Sequence, residues 1–138
     1  LYVLTERAAQ GNVDSYDPAD GSAELRQGCD TVSGTTDSLG AAIRLHPSGR
    51  WLYVSVRGAD VLVCFRIGED GCLTEQSRIS SGGMIPRDFD LTPDGRVLLA
   101  ANQDSDSLCV FEIDTEGTLH PRGCCDTPIG ACTVLHIL

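Results

Sequence analysis

Glu6, Arg57, Arg87 and Gln103 are the residues of this sequence whose types could do chemistry together. A carboxylate can polarise a water molecule, and guanidinium forks can hold carboxylate or phosphate oxygens. The set suits anion binding coupled to activation of water. No GxSxG, P-loop or HExxH pattern accompanies it. The competing reading of the same residues is a series of salt bridges between neighbouring structural units. Deciding between the two needs the elements that would carry these side chains.

Those elements come as a repeat. "PSGRWLYVSVRG" starts at Pro47 and "PDGRVLLAANQD" at Pro93; at an offset of 46, Gly49 meets Gly95, Arg50 meets Arg96 and Phe65 meets Phe111. At an offset of 51, the opening "LYVLTER" overlays "LYVSVRG". A period in this range is that of β-propeller blades. One unit reads as strand "GAAIRL", a Pro-Ser-Gly turn, the apolar strand "WLYVSV", strand "DVLVCFRI", a hairpin turn "EDG" and a more polar outer strand "CLTEQSRI". The fold expected is all-β, built of β-propeller blades of four antiparallel strands. The units fall at about 1–38, 39–84 and 85–130, with a final strand at 131–138. About three blades are fewer than the four to eight that close a ring. Remaining blades are therefore expected from missing sequence, from another chain or from self-association.

Blade geometry gathers the polar residues. Glu6, Arg57 and Gln103 each close a second strand at equivalent positions of successive units, and Arg87 opens a first strand in "PRDFDL". Antiparallel strands reverse direction, so all four are expected on one face, near the mouth of the channel. His46, Arg50 and Arg96 belong to the opposite face. His46, before a turn proline, reads as a surface or capping residue; His120 lies on an outer strand, and His136 sits in the last strand without a nucleophile beside it.

Composition narrows the partners. The 138 residues carry a net charge of −10, which disfavours nucleic acid and anionic membrane as partners. No apolar run approaches the ~20 residues that span a bilayer. The first residues lack a signal-peptide pattern and read as starting inside a strand. Seven cysteines occur without a CxxC pair. They are read as reduced packing residues, the vicinal Cys124 and Cys125 included, in a cytoplasmic protein with no metal site.

"AAIRLHPSGRWLYVSVRG", "GGMIPRDFDLTPDGRVLLAANQDSD" and "LCVFEIDTEGTL" resemble the lactonase family of seven-bladed β-propellers, over the C-terminal part of the family pattern. Members usually carry Asn-Glu, Asn-Arg and Asn-Gln at the ends of the three second strands. The resemblance implies pocket roles for Glu6 and Arg57, a match at Gln103 and a further contact at Arg87. Asn102 is kept, whereas Thr5 and Val56 stand where asparagine is usual, and the strand-end loops are expected to be looser there. The implied activity is hydrolysis of a sugar lactone, 6-phosphogluconolactone first, in the pentose phosphate pathway, on a small anionic substrate and without a cofactor. Alternatives are a muconate-type lactonizing cycloisomerase and a non-catalytic binding platform.

Overall fold

A computed structural model of the chain describes residues 1–7, 10–31, 38–130 and 133, and every regular element among them is a strand. The first antiparallel sheet holds β1 (Tyr2–Thr5), β2 (Gln10–Tyr16) and β3 (Ala23–Asp30). The second holds β4 (Leu39–Leu45), β5 (Trp51–Arg57), β6 (Val61–Ile67) and β7 (Leu73–Ser80). The third holds β8 (Pro86–Leu91), β9 (Val97–Asn102), β10 (Ser107–Ile113) and β11 (Leu119–Asp126). Each sheet is an up-and-down meander in chain order, as in a propeller blade. The strand expected at 131–138, with Cys132 and His136, lies outside the described residues apart from Thr133.

The continuous apolar run of β5 has a plain cause. All seven of its residues are buried, because a blade lies against each face. Leu52, Val54 and Val56 pack with Val13 and Phe65 towards the first blade, joined by Tyr2 and Leu4. Trp51 and Tyr53 pack with Phe89, Leu98 and Phe111 towards the third. The period-two alternation of a strand thus feeds two cores at once.

Polar tethers repeat along with the cores. Tyr53 Oη donates to Gly117 O at 2.8 Å, and Tyr2 Oη donates to Gly71 O at 3.0 Å. These are the same bond one blade apart, from an inner strand to the hairpin turn of the next blade. Gly117 holds φ at 79°, and a Cβ there would lie 2.6 Å from the Trp51 ring, so both its backbone and its space demand glycine.

The cysteine reading needs a correction. Cys109 and Cys124 form a disulfide across β10 and β11 instead of serving as reduced packing residues. A register shift between Val110 and Phe111 puts Cys124 opposite Cys109, where a regular ladder would have placed Gly123. A bulge of this kind leaves no mark in the spacing of the cysteines. Cys29, Cys64, Cys72 and Cys125 remain thiols. The bridge spans 15 positions of sequence. Its reduction is expected to remove about 3 kcal/mol of stability by the loop-entropy estimate. Urea midpoints with and without dithiothreitol check this; coincident midpoints would contradict it.

Candidate active site

Glu6, Arg57 and Arg87 come together in one cleft of about 210 Å³, which Leu4, Gly40 and Ala41 complete. Each reaches it by a different device. Glu6 lies in the turn that follows β1, and its carbonyl accepts the Gly40 N–H at 2.8 Å, tying that turn to the start of β4. Arg57 ends β5, opposite Leu39. Arg87 owes its direction to a bulge in β8: Pro86 pairs with Asn102 and Asp88 with Ala101, leaving Arg87 as the extra residue. Bulges commonly re-aim a side chain in this way. The ladder of β4 shifts at the corresponding place, between Gly40 and Ile43. There the residue equivalent to Arg87 is Ala41, a small cleft-lining residue where the third blade supplies a cation.

Arg57 and Glu6 form the centre. Arg57 Nη2 donates to Glu6 Oε1 at 2.5 Å and to Gly40 O at 3.3 Å. The Arg57 side chain is only 11% exposed, whereas that of Glu6 is 64% exposed. A buried guanidinium therefore holds a carboxylate that faces the cleft. The Glu6 carboxyl sits below its ordinary 4.5, first through the Arg57 hydrogen bond, then through the Arg57 charge, with smaller help from Arg87 and Arg7 against the effect of burial. It is an anion throughout the neutral range. Arg57 Nε is buried without an acceptor among the described residues, so packing must offset that unmet donor. Arg87 is exposed and has no hydrogen bond or ion pair among the described residues, which leaves its fork available to a ligand.

Gln103 is placed differently. It follows β9 one blade further round, half-buried, with its backbone N–H donated to Ile85 O at 2.9 Å, and it does not line this cleft. His46, Arg50 and Arg96 line a separate cleft with Trp51 and Asp94. His46 Nε2 lies 2.9 Å from Gly95 O, joining the turns of two blades. The positions where asparagine gives way are both occupied structurally. The Thr5 hydroxyl bonds Gln10 O across its own turn at 3.1 Å, and Val56 is fully buried core. Asn102, the retained amide, donates to Ser81 O at 3.2 Å. No three His, Cys, Asp or Glu side chains gather as metal ligands among the described residues.

Gly40 and Ala41 were not singled out by sequence reasoning, although their alignment with Pro86 and Arg87 at the 46-residue offset carried the signal. A Cβ on Gly40 would stand 2.6 Å from Thr5 O and 2.9 Å from Leu4 Cγ. Gly40→Ala is therefore expected to push β1 and its Glu6 turn away from β4, at an overpacking cost of about 1–3 kcal/mol. A lowered melting temperature together with a lowered turnover would bear this out; a variant unchanged in both would contradict it.

Blades stacked through shared cores, with a charged cleft where their strand ends meet, define a β-propeller with a candidate site at the inter-blade junction. The chain belongs to the lactonase family of seven-bladed β-propellers: the family model described as "Lactonase, 7-bladed beta-propeller" matches residues 1–134. It is 34% identical over 123 residues to a 6-phosphogluconolactonase of Sodalis glossinidius, covering 87% of this chain and 37% of that protein. It is 33% identical over 118 residues to a 6-phosphogluconolactonase of Bacillus subtilis, covering 83% of this chain and 34% of that protein. Among solved structures, the Pseudomonas aeruginosa periplasmic gluconolactonase superposes with a TM-score of 0.89 at 31% identity, covering 98% of this chain and 38% of that one. A protein from Lactobacillus plantarum superposes with a TM-score of 0.90 at 33% identity, covering 95% of this chain and 40% of that one. The chain thus spans well under half the length of these relatives.

Proposed function

We propose that this chain supplies the catalytic cleft of a lactonase that hydrolyses a sugar δ-lactone, 6-phosphogluconolactone first, in the pentose phosphate pathway of the cytoplasm. The observation that carries the reading is the Glu6–Arg57 pair, an ionised carboxylate facing the cleft on a buried guanidinium. Glu6 takes a proton from water as the water oxygen adds to the lactone carbonyl. The oxyanion that forms is stabilised by the positive field of Arg57. As the carbonyl reforms, the ring C–O bond breaks and Glu6 returns its proton to the departing ring oxygen. The low basicity of Glu6 suffices because a δ-lactone is an activated ester. Arg87, exposed at the rim and without an ion pair among the described residues, holds the phosphate. Gln103 contacts a substrate only at the end that reaches towards the next blade.

The remaining blades come from sequence outside this stretch or from another chain; the exposure of Val3 on the face of β1 that points away from β4 supports a further blade there. A second reading has its own support. The Cys109–Cys124 bridge suits an oxidising compartment, and the similar Pseudomonas aeruginosa structure is of a periplasmic gluconolactonase, which makes the unphosphorylated lactone the second candidate substrate. Turnover of 6-phosphogluconolactone, gluconolactone and a muconate-type dicarboxylate by the protein with its ring complete tests the proposal. Preference for the phosphorylated lactone is expected. Preference for the dicarboxylate, or turnover of none together with capture of a partner protein, would refute it.

A further inference from the structure

Asp60 stands outside the cleft, yet it touches the supports of both cleft arginines. It sits three residues beyond Arg57 in the β5–β6 turn, with φ at 52°, a left-handed conformation uncommon for a residue with a side chain. Its Oδ1 accepts the Gly58 N–H at 3.2 Å, which closes the turn following Arg57. The same oxygen accepts the Ile85 N–H of the next blade at 2.9 Å. Ile85 is itself left-handed, with φ at 56°, and it directly precedes Pro86 and the bulged Arg87. Ser81 N donates to Asp60 O at 2.9 Å, so the contact between blades is doubled.

The sequence explains why a side chain is needed at this point. In the second blade, the start of β4 is fixed by its own backbone, through Gly40 N–H to Glu6 O. The equivalent residue of the third blade is Pro86, which has no N–H to give. The anchor moves back by one residue to Ile85 N, and a carboxylate from the neighbouring blade receives it. The hook recurs one blade on, where Asp106, with φ at 46°, accepts Gly130 N–H on Oδ1 and Thr127 N–H on its carbonyl. There no described residue beyond Gly130 lines the cleft. The matching position of the first blade is Ala9.

We propose that Asp60 is the positioning residue for Arg87, holding the strained Ile85-Pro86 start of β8 so that the bulged guanidinium faces the cleft and meets the phosphate of the substrate. The proposal rests on the lactone-site reading of Arg87, and its test is read by binding so that the two can fail separately.

The measurement is calorimetric affinity for 6-phosphogluconate and for gluconate, with melting temperatures, on the protein with its ring complete. Asp60→Gly keeps the left-handed backbone and removes the acceptor. It is expected to weaken 6-phosphogluconate about tenfold to a hundredfold, the worth of a charge-assisted contact. Gluconate affinity should stay within about twofold, because Arg57 keeps its bonds to Glu6 Oε1 and Gly40 O when the Gly58 contact is lost. Asp60→Asn keeps the accepting oxygen and tolerates the backbone, and should bind both ligands as the wild type does. Asp106→Gly removes the same hook where no arginine follows; it should lower the melting temperature and leave both affinities intact. Asp60→Ser, with its oxygen one bond shorter, repeats the readout should the glycine variant not fold. Equal weakening of both ligands by Asp60→Gly and Asp106→Gly, or no weakening by Asp60→Gly, would overturn the proposal. A wild type that binds 6-phosphogluconate but opens no lactone refutes the lactonase reading alone; one that binds neither ligand overturns this one.

Discussion

Glu6→Gln is expected to lower kcat by about 10²- to 10⁴-fold, the usual worth of a positioned general base, with KM little changed. The substitution is chosen to isolate that role. Glutamine has the same shape, and its side-chain oxygen can still accept the Arg57 Nη2 bond now made by Oε1. The buried guanidinium keeps an acceptor, so the fold loses little. What disappears is the negative charge that takes the proton from water. Steady-state kinetics on the lactone, corrected for its spontaneous opening, give the answer. Equal rates for the two proteins would remove Glu6 from the mechanism and leave the Glu6–Arg57 contact as a bridge between blades.

Arg57→Met should lower kcat/KM by about 10²- to 10³-fold, the scale seen when a group stabilising a developing oxyanion is removed. Methionine fills the buried space without charge, so the loss is electrostatic rather than a cavity effect. The variant also carries a signature in pH. Glu6 is held low first by the Arg57 hydrogen bond and then by the Arg57 charge. Without them its carboxyl rises towards the ordinary 4.5, and only the weaker influence of Arg87 and Arg7 still holds it down. The acid limb of kcat/KM, which reports the ionised base, must therefore move to higher pH. Stability follows the same sign. A lowered carboxyl favours the folded state above its unfolded value and loses that advantage as pH falls through the folded one. In Arg57→Met this acid-side loss shrinks. Arg57→Lys should recover part of the rate, since an ammonium can neutralise Glu6 but has no planar fork to share with Gly40 O. An acid limb that does not move in Arg57→Met would separate the pair as a structural contact from the chemistry.

The blades were legible because two signals agreed along the whole chain. The period of strands gave the alternation, and the 46-residue offset gave its repetition. Burial on both faces of β5 followed directly from its unbroken apolar run. What stayed hidden was register. Arg87 points into the cleft because one residue is extra in β8, and Cys124 meets Cys109 because one is extra in β11. A bulge depends on how two strands pair, and neither strand's own sequence states it. The meeting of Glu6 with Arg57 was closer to the surface, since equivalent strand ends of adjacent blades must lie side by side. Gln103 shows the limit of that argument. It occupies the equivalent strand end, yet the cleft between the first and second blades does not extend to it. Asp60 was invisible for another reason. Its role is set by a partner 25 residues away whose need arises from a proline that cannot donate.

The proposed chemistry lies at the strand ends around Glu6 and Arg57, with Arg87 as the anion-holding arm. A crystal structure of the complete-ring protein soaked with 6-phosphogluconate tests it most directly. The carboxyl end of the product is expected beside the Glu6–Arg57 pair, and its phosphate on the Arg87 guanidinium. Product bound instead in the cleft formed by Arg50, Trp51 and Arg96 would contradict it.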